Sequence, residues 1–202
     1  MAKMTTKTKR LSASDVINIV AIHIESFPNS FLTKMGKPFL TEYYKAAILG
    51  PYAIVVGLES DGSLVGFCSG STQPSVFYSL LLKKAHTLFV PIALAVFHNP
   101  SIIVGIIQGF FRSLNSTSQI FQDGDCELSS LACVAEGKGF GSELVRQFMI
   151  GARESGAKRI YLTTDATDND RVIKFYSNLG FLIDGTENRG RRKMLKLVCQ
   201  IS

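Results

Sequence analysis

The sequence predicts a single α/β domain. Strand-like and helix-like apolar patterns alternate along it. They fall in the order β, two helices, β, β, an insertion, β, α, β, α, β, β. A glycine-rich junction joins an apolar strand to an amphipathic helix late in the chain. At 202 residues one domain is the default, and 46% apolar residues are ample for its core.

Lys3 to Leu11 reads as a first strand, with Thr5, Thr6 and Thr8 favouring extended backbone. Ser14-Asp15 starts a helix whose Val16, Ile19, Val20, His23 and Ile24 share one face, and Phe27-Pro28-Asn29 ends it. A second helix runs from about Pro38 to Leu49 and closes at Gly50-Pro51. Strands at Tyr52 to Leu58 and Leu64 to Ser69 flank Asp61-Gly62, a hairpin signal. Later strands fall at Leu128 to Val134, Arg159 to Thr164, Phe181 to Thr186 and Met194 to Gln200. Between them lie a helix to about Arg153 and one ending at Gly180.

Pro74 to Gly124 separates the third strand from the fourth. A structureless loop of that length is out of place in a compact domain. Its apolar runs, Val76 to Phe97 and Ile102 to Phe111, suggest helices, and Asn115-Ser116-Thr117-Ser118 a loop. Pro91 and His98-Asn99-Pro100 cut it into runs shorter than the ~20 apolar residues of a membrane span. The expectation is a helical hairpin packed on the domain, forming an acceptor pocket or a homodimer contact; membrane-surface attachment is the lesser reading.

The glycine junction is Glu136-Gly137-Lys138-Gly139-Phe140-Gly141-Ser142, followed by a helix through Leu144, Val145 and Phe148. Unpaired N–H groups at a helix start, its dipole, glycines without Cβ and a lysine charge suit a phosphorylated ligand. The spacing is neither the P-loop nor the dinucleotide pattern. By itself it also fits a plain strand-to-helix turn.

Asn169-Asp170-Arg171-Val172-Ile173-Lys174-Phe175-Tyr176-Ser177-Asn178-Leu179-Gly180-Phe181 follows a strand in its turn. Together the two segments resemble the GNAT acyltransferase superfamily, most sharply over Glu127 to Gln200. The first matches Gln/Arg-x-x-Gly-x-Gly/Ala except that Glu136 holds the first position. The second matches at Asn169, Phe175, Tyr176, Gly180 and Phe181, with Val172 where a small residue is usual. The resemblance implies a mixed, mostly antiparallel sheet with helices on both faces, and one GNAT domain over residues 1–202 with a helical insertion at about 74–124. It implies acetyl-CoA as cosubstrate, in a cleft where the strand of Glu127 to Val134 splays from that of Arg159 to Thr164. Backbone groups of Leu131, Ala132, Cys133 and Val134 would meet the pantetheine arm, one of them polarising the thioester carbonyl. Lys138, Gly139, Phe140, Gly141 and Ser142 would hold the pyrophosphate, with Asn169 and Phe175 also on the cofactor side. Leu131 holds the family's usual valine position, or Cys133 does if the turn is two residues short.

The implied chemistry is direct attack of an amine on the thioester. Tyr176 matches the position whose phenol faces the CoA sulfur, and a phenol is protonated at neutral pH and able to donate. Glu127, or Asp125 two residues before it on the same face, is the candidate base, directly or through water. The plain reading of each is a core tyrosine and a strand-end carboxylate. The expected acceptor is a small-molecule primary amine; Phe27 to Gly36 resembles GNAT proteins of bacterial surface-polysaccharide pathways, which suggests an amino sugar. The other class of function is a non-catalytic acyl-CoA-binding or assembly module using the apolar insertion as partner surface.

Cys68, Cys126, Cys133 and Cys199 are scattered and read as reduced, mostly buried thiols of a cytoplasmic protein. His23, His86 and His98 share no ligand spacing, so no metal is expected. The formal charge of +6 is concentrated in part in Lys7 to Arg10 and Arg189-Gly190-Arg191-Arg192-Lys193. No aromatic residues interleave with these, so the second reads as a solvated hairpin tip, not a nucleic-acid surface.

Overall fold

A computed structural model describes residues 6–83, 85–98, 100, 124–189 and 192–201, by their backbone alone at 82–83 and 85–91. The elements are β1 (Thr6–Arg10), a 3-10 turn (Ala13–Asp15), α1 (Val16–Ser26), α2 (Phe31–Lys34), α3 (Gly36–Leu49), β2 (Ala53–Ser60), β3 (Ser63–Ser71), α4 (Pro74–Lys83), α5 (Ala85–His98), β4 (Asp125–Cys133), α6 (Phe140–Glu154), β5 (Arg159–Asp165), α7 (Asp170–Ser177), β6 (Leu182–Arg189) and β7 (Arg192–Gln200).

The seven strands form one sheet in the order β1-β2-β3-β4-β5-β7-β6. Only β4 and β5 pair in parallel; every other neighbouring pair is antiparallel. Alternation along the strands feeds two cores. On one face, Phe67 and Ala132 pack with Ile19, Leu40, Tyr43 and Tyr44 of α1 and α3 and with Phe77 and Ala95 of α4 and α5. On the other, Leu128, Ile160 and Leu197 pack with Leu144 and Phe148 of α6 and with Tyr176 of α7.

The expected order holds, with local corrections. The extra helix α2 precedes α3, started by Ser30 Oγ accepting from the Thr33 N–H at 3.0 Å. Asp15 is the N-cap of α1 as expected, and Ser12 opens the 3-10 turn before it: the Ser12 N–H and hydroxyl both donate to Asp15 Oδ2, at 2.8 and 2.9 Å. Asp61 and Gly62 take φ of 49° and 80°, as a two-residue turn with both residues left-handed requires. In the insertion α4 ends at Lys83 and α5 begins at Ala85, and α5 continues through Pro91. Burial of Ile92 and Ala95 against the first core offsets the hydrogen bond that proline removes. The expected helix at Ile102 to Phe111 and loop at Asn115 to Ser118 lie outside the described residues, as do Lys3 to Thr5. Among the described residues no helix is long and apolar enough to cross a membrane.

Candidate active site

β4 and β5 pair only at Asp125–Arg159, Cys126–Ile160 and Glu127–Tyr161. Beyond Glu127 the two strands part, although both continue. The β3–β4 register explains where. It slips between Ser69 and Gly70, whose partners are Ser130 and Leu128, so Ser129 has no opposite number. Such a bulge bends its strand and adds twist. Gly70 permits it, because a Cβ there would stand 1.9 Å from the Glu127 carbonyl oxygen. The bulge therefore turns β4 away from β5 one step after their last pair.

The open edge of β4 follows from one hydrogen bond and the period of two. Val134 N–H donates to Val65 O at 2.9 Å, towards β3. Ala132 is also turned to β3, while Leu131 and Cys133 turn their N–H and C=O groups to the opening. This corrects the expectation of backbone contacts from all four residues: Leu131 and Cys133 can supply them, Ala132 and Val134 cannot. Both alignments of the usual valine position fall on residues of the open edge.

The glycine turn roofs this opening. Gly139 precedes α6 with φ 78° and no side-chain cap, and the first intrahelical bond is Glu143 N–H to Gly139 O at 3.1 Å. The N–H groups of Phe140, Gly141 and Ser142 lie before that bond, free of intrahelical partners. Gly137 is also left-handed, and nothing stands within 4 Å of where a Cβ would be at either glycine. Lys138 between them is exposed. Gly141 serves packing as well: a Cβ there would meet the Phe175 ring at 3.3 Å. Glu136 does not oppose an anion at the turn, since its carboxylate lies 2.7 Å from Arg171 Nη2 at the start of α7.

Tyr176 is 7% exposed, its ring edge-on to Phe175 and Phe181 at 4.9 and 5.4 Å between centroids. Burial, then Cys68 and Cys133, push its phenol far above the ordinary value, so it holds its proton. Burial also pushes the Cys133 thiol up to about 11; it stays a thiol, a poor acyl acceptor at neutral pH. Asn169 does not cap α7 with its side chain. Its Nδ2 donates to Thr164 Oγ1 at 2.6 Å and Asp165 O at 2.9 Å, tying the helix start to β5.

The two candidate carboxylates have different surroundings. Asp125 is 4% exposed and held by Arg159 through two bonds of 2.7 Å, which takes it out of consideration as the base. Glu127, half-buried at the branch point, accepts from the Tyr78 hydroxyl at 3.3 Å. Sequence reasoning missed Tyr78, and no spacing signal links it to Glu127.

Three cations of the basic segments, Lys9, Arg189 and Arg192, are paired back onto the fold. Lys9 meets Asp15 and Glu59 at 2.8 and 2.6 Å. Arg189 bonds Glu187 and, at 2.9 Å, Thr163 Oγ1; Arg192 holds Asp165. Gly190 and Arg191 lie outside the described residues. The four cysteines are unpaired, three of them buried. Among the described residues no group of three metal-ligating side chains forms.

Residues 17–181, most of the chain, match the acetyltransferase (GNAT) family. The chain belongs to that family. Solved structures of the same fold include an N-acetyltransferase from Staphylococcus aureus Mu50, 15% identical at TM-score 0.63, covering 98% of this chain and 99% of that one. The Salmonella typhimurium protein YncA, solved with its cofactor acetyl-CoA, is 15% identical at TM-score 0.63 over 100% and 95%. The PaiA N-acetyltransferase from Thermoplasma acidophilum, in complex with coenzyme A, is 13% identical at TM-score 0.58 over 96% and 98%. Among curated proteins, YxbD of Bacillus subtilis (strain 168) is 37% identical over 65 residues. That match spans 32% of this chain and 40% of YxbD.

The residues present fit the family's cosubstrate. The uncapped start of α6, the two open left-handed glycines and Lys138 suit a pyrophosphate. The unpaired edge of β4 suits the amide-bearing arm behind it.

Proposed function

We propose that the protein transfers an acetyl group from acetyl-CoA to the primary amine of a small molecule, with an amino sugar as a leading class. The observation that carries this reading is the parting of β4 and β5 beneath the glycine turn. When bound, acetyl-CoA supplies an acyl group activated as a thioester. Lys138 and the N–H groups from Gly139 to Ser142 bind its pyrophosphate. The N–H of Leu131 or Cys133, on the open edge, donates to the carbonyl oxygen as charge develops there. Glu127 and Tyr176 approach the opening from opposite faces of the sheet. Glu127 accepts the ammonium proton, and Tyr176 holds a proton for the departing sulfur. With Cys133 kept as a thiol, direct attack by the amine is the economical route.

Purified protein incubated with acetyl-CoA and a panel of primary amines, amino sugars first, should release free CoA in a thiol assay. Tyr176→Phe should lower kcat about 100-fold with little change in KM for acetyl-CoA. Tight CoA binding without turnover on any amine would replace this reading with that of a binding or assembly module.

A further inference from the structure

The two described helices of the insertion are apolar on two sides. Their inner stripes hold them on the domain: Phe77 and Leu81 of α4, and Ile92 and Ala95 of α5, pack into the first core. The water-facing positions beside such stripes are ordinarily polar. Here Val76 and Leu80 of α4 are each 37% exposed, and Leu94 of α5 is 47% exposed. Phe97 of α5, at 83%, is the most exposed large apolar side chain among the described residues. Spacings of four and of three put each pair on one face of its helix. Charge marks the same segment. From residue 62 to 122 the sequence holds no Asp or Glu, and its full charges are Lys83, Lys84 and Arg112. Lys83 closes α4; Lys84 and Arg112 lie outside the described residues. The neighbouring α3 carries one carboxylate, Glu42, and Lys45 holds it at 2.8 Å.

Exposed apolar groups on neighbouring elements mark an interaction surface, and the charge pattern selects the partner. A bilayer takes projecting side chains without a matching pocket, and anionic headgroups supply the missing counter-charge. A second copy docked by the same face would set two acid-free surfaces together, with no counter-charge for either. No described helix is long and apolar enough to cross a membrane, so the contact is with its interface. We infer that the outer face of α4 and α5 is a docking surface for an anionic phospholipid membrane. The inference stands apart from the acetyl-transfer reading and holds whatever the acceptor is.

Sedimentation of the purified chain with lipid vesicles tests this. One vesicle set is phosphatidylcholine alone; the other carries about 30% phosphatidylglycerol. The chain should partition onto the second set about tenfold more strongly, and ~1 M salt should remove that margin. Phe97→Ser should weaken binding to the anionic vesicles about tenfold. Its urea midpoint should stay unchanged, since the ring lies outside both cores. Leu182→Ser, on the edge strand β6, removes an apolar side chain that is 74% exposed and should leave vesicle binding unaltered. No partition onto the anionic vesicles, or equal partition onto both sets, overturns the inference. So does an equal loss from Phe97→Ser and Leu182→Ser. Self-association that Phe97→Ser abolishes, with vesicle binding unchanged, would put a second copy in the membrane's place.

Discussion

Up to Glu127, β4 is bonded on both edges, to β3 and to β5; beyond it, on one. The two stretches belong to the same strand and do different work. In the closed stretch, the Asp125 carboxylate is sealed against Arg159 and contributes to the fold. In the open stretch, Leu131 and Cys133 face the gap with unpaired backbone groups. Glu127 stands at the boundary, paired through its backbone, with its side chain accepting from the Tyr78 hydroxyl. A carboxylate's position in the sequence pattern does not decide its role; the pairing of the strand beneath it does.

The strongest way to break this contrast is to open the closed stretch. Arg159→Leu removes the guanidinium from a carboxylate that is almost fully buried, and should cost about 3–5 kcal/mol in chemical denaturation. A loss under 1 kcal/mol would mean that the closed stretch is held by its backbone pairs alone.

A second effect concerns the support behind the open stretch. Tyr44 packs edge-on to Phe67, the β3 partner of Ala132, and its hydroxyl meets His23 Nδ1 at 2.7 Å. Burial pushes His23 down to about 4 from 6.5, so the folded protein keeps it neutral. The unfolded chain binds that proton more readily between those values. Stability is therefore complete above about pH 6.5 and falls as pH drops towards 4, by roughly 2–3 kcal/mol. Urea titrations across this range should show the slope, and His23→Phe should flatten it. A slope unchanged by the substitution would place the acid sensitivity elsewhere.

The smallest effect sharpens the contrast from the ligand side. Gly139→Ala places a Cβ in open space but at φ 78°, a conformation costing about 1 kcal/mol for an L side chain. Stability should fall by about that amount. On the proposed reading, in which the turn supplies the anion's donors, CoA affinity measured by calorimetry should fall further. Equal losses in stability and binding would argue that the turn only shapes the fold.

The glycine turn and the Asn169 to Phe181 segment were legible in the sequence because their geometry is local. The N–H groups before the first bond of α6, the helix start and Tyr176 each sit within a few residues of their signals. The position of the parting was not legible. It depends on Gly70 facing Glu127 across two strands, a contact without sequence periodicity. The alternation that removes Ala132 and Val134 from the open edge needed the β3 register. Tyr78 could not be read at all: it meets Glu127, 49 positions further along the chain. Asp125 and Glu127 looked equivalent because alternation reports the face of a strand and not what stands opposite. The Glu136 departure loses its force once Arg171 is seen beside it.

The contact between Gly141 and the Phe175 ring has a consequence for length. It seats the first turn of α6 against α7, next to Tyr176. The two ends of the cleft act as the jaws of a fixed gauge. A carrier whose arm is shorter than pantetheine would bring its sulfur short of the phenol, however well its phosphates were held. On the proposed reading, carrier selection is a measurement of reach, set by one missing methyl group and one ring.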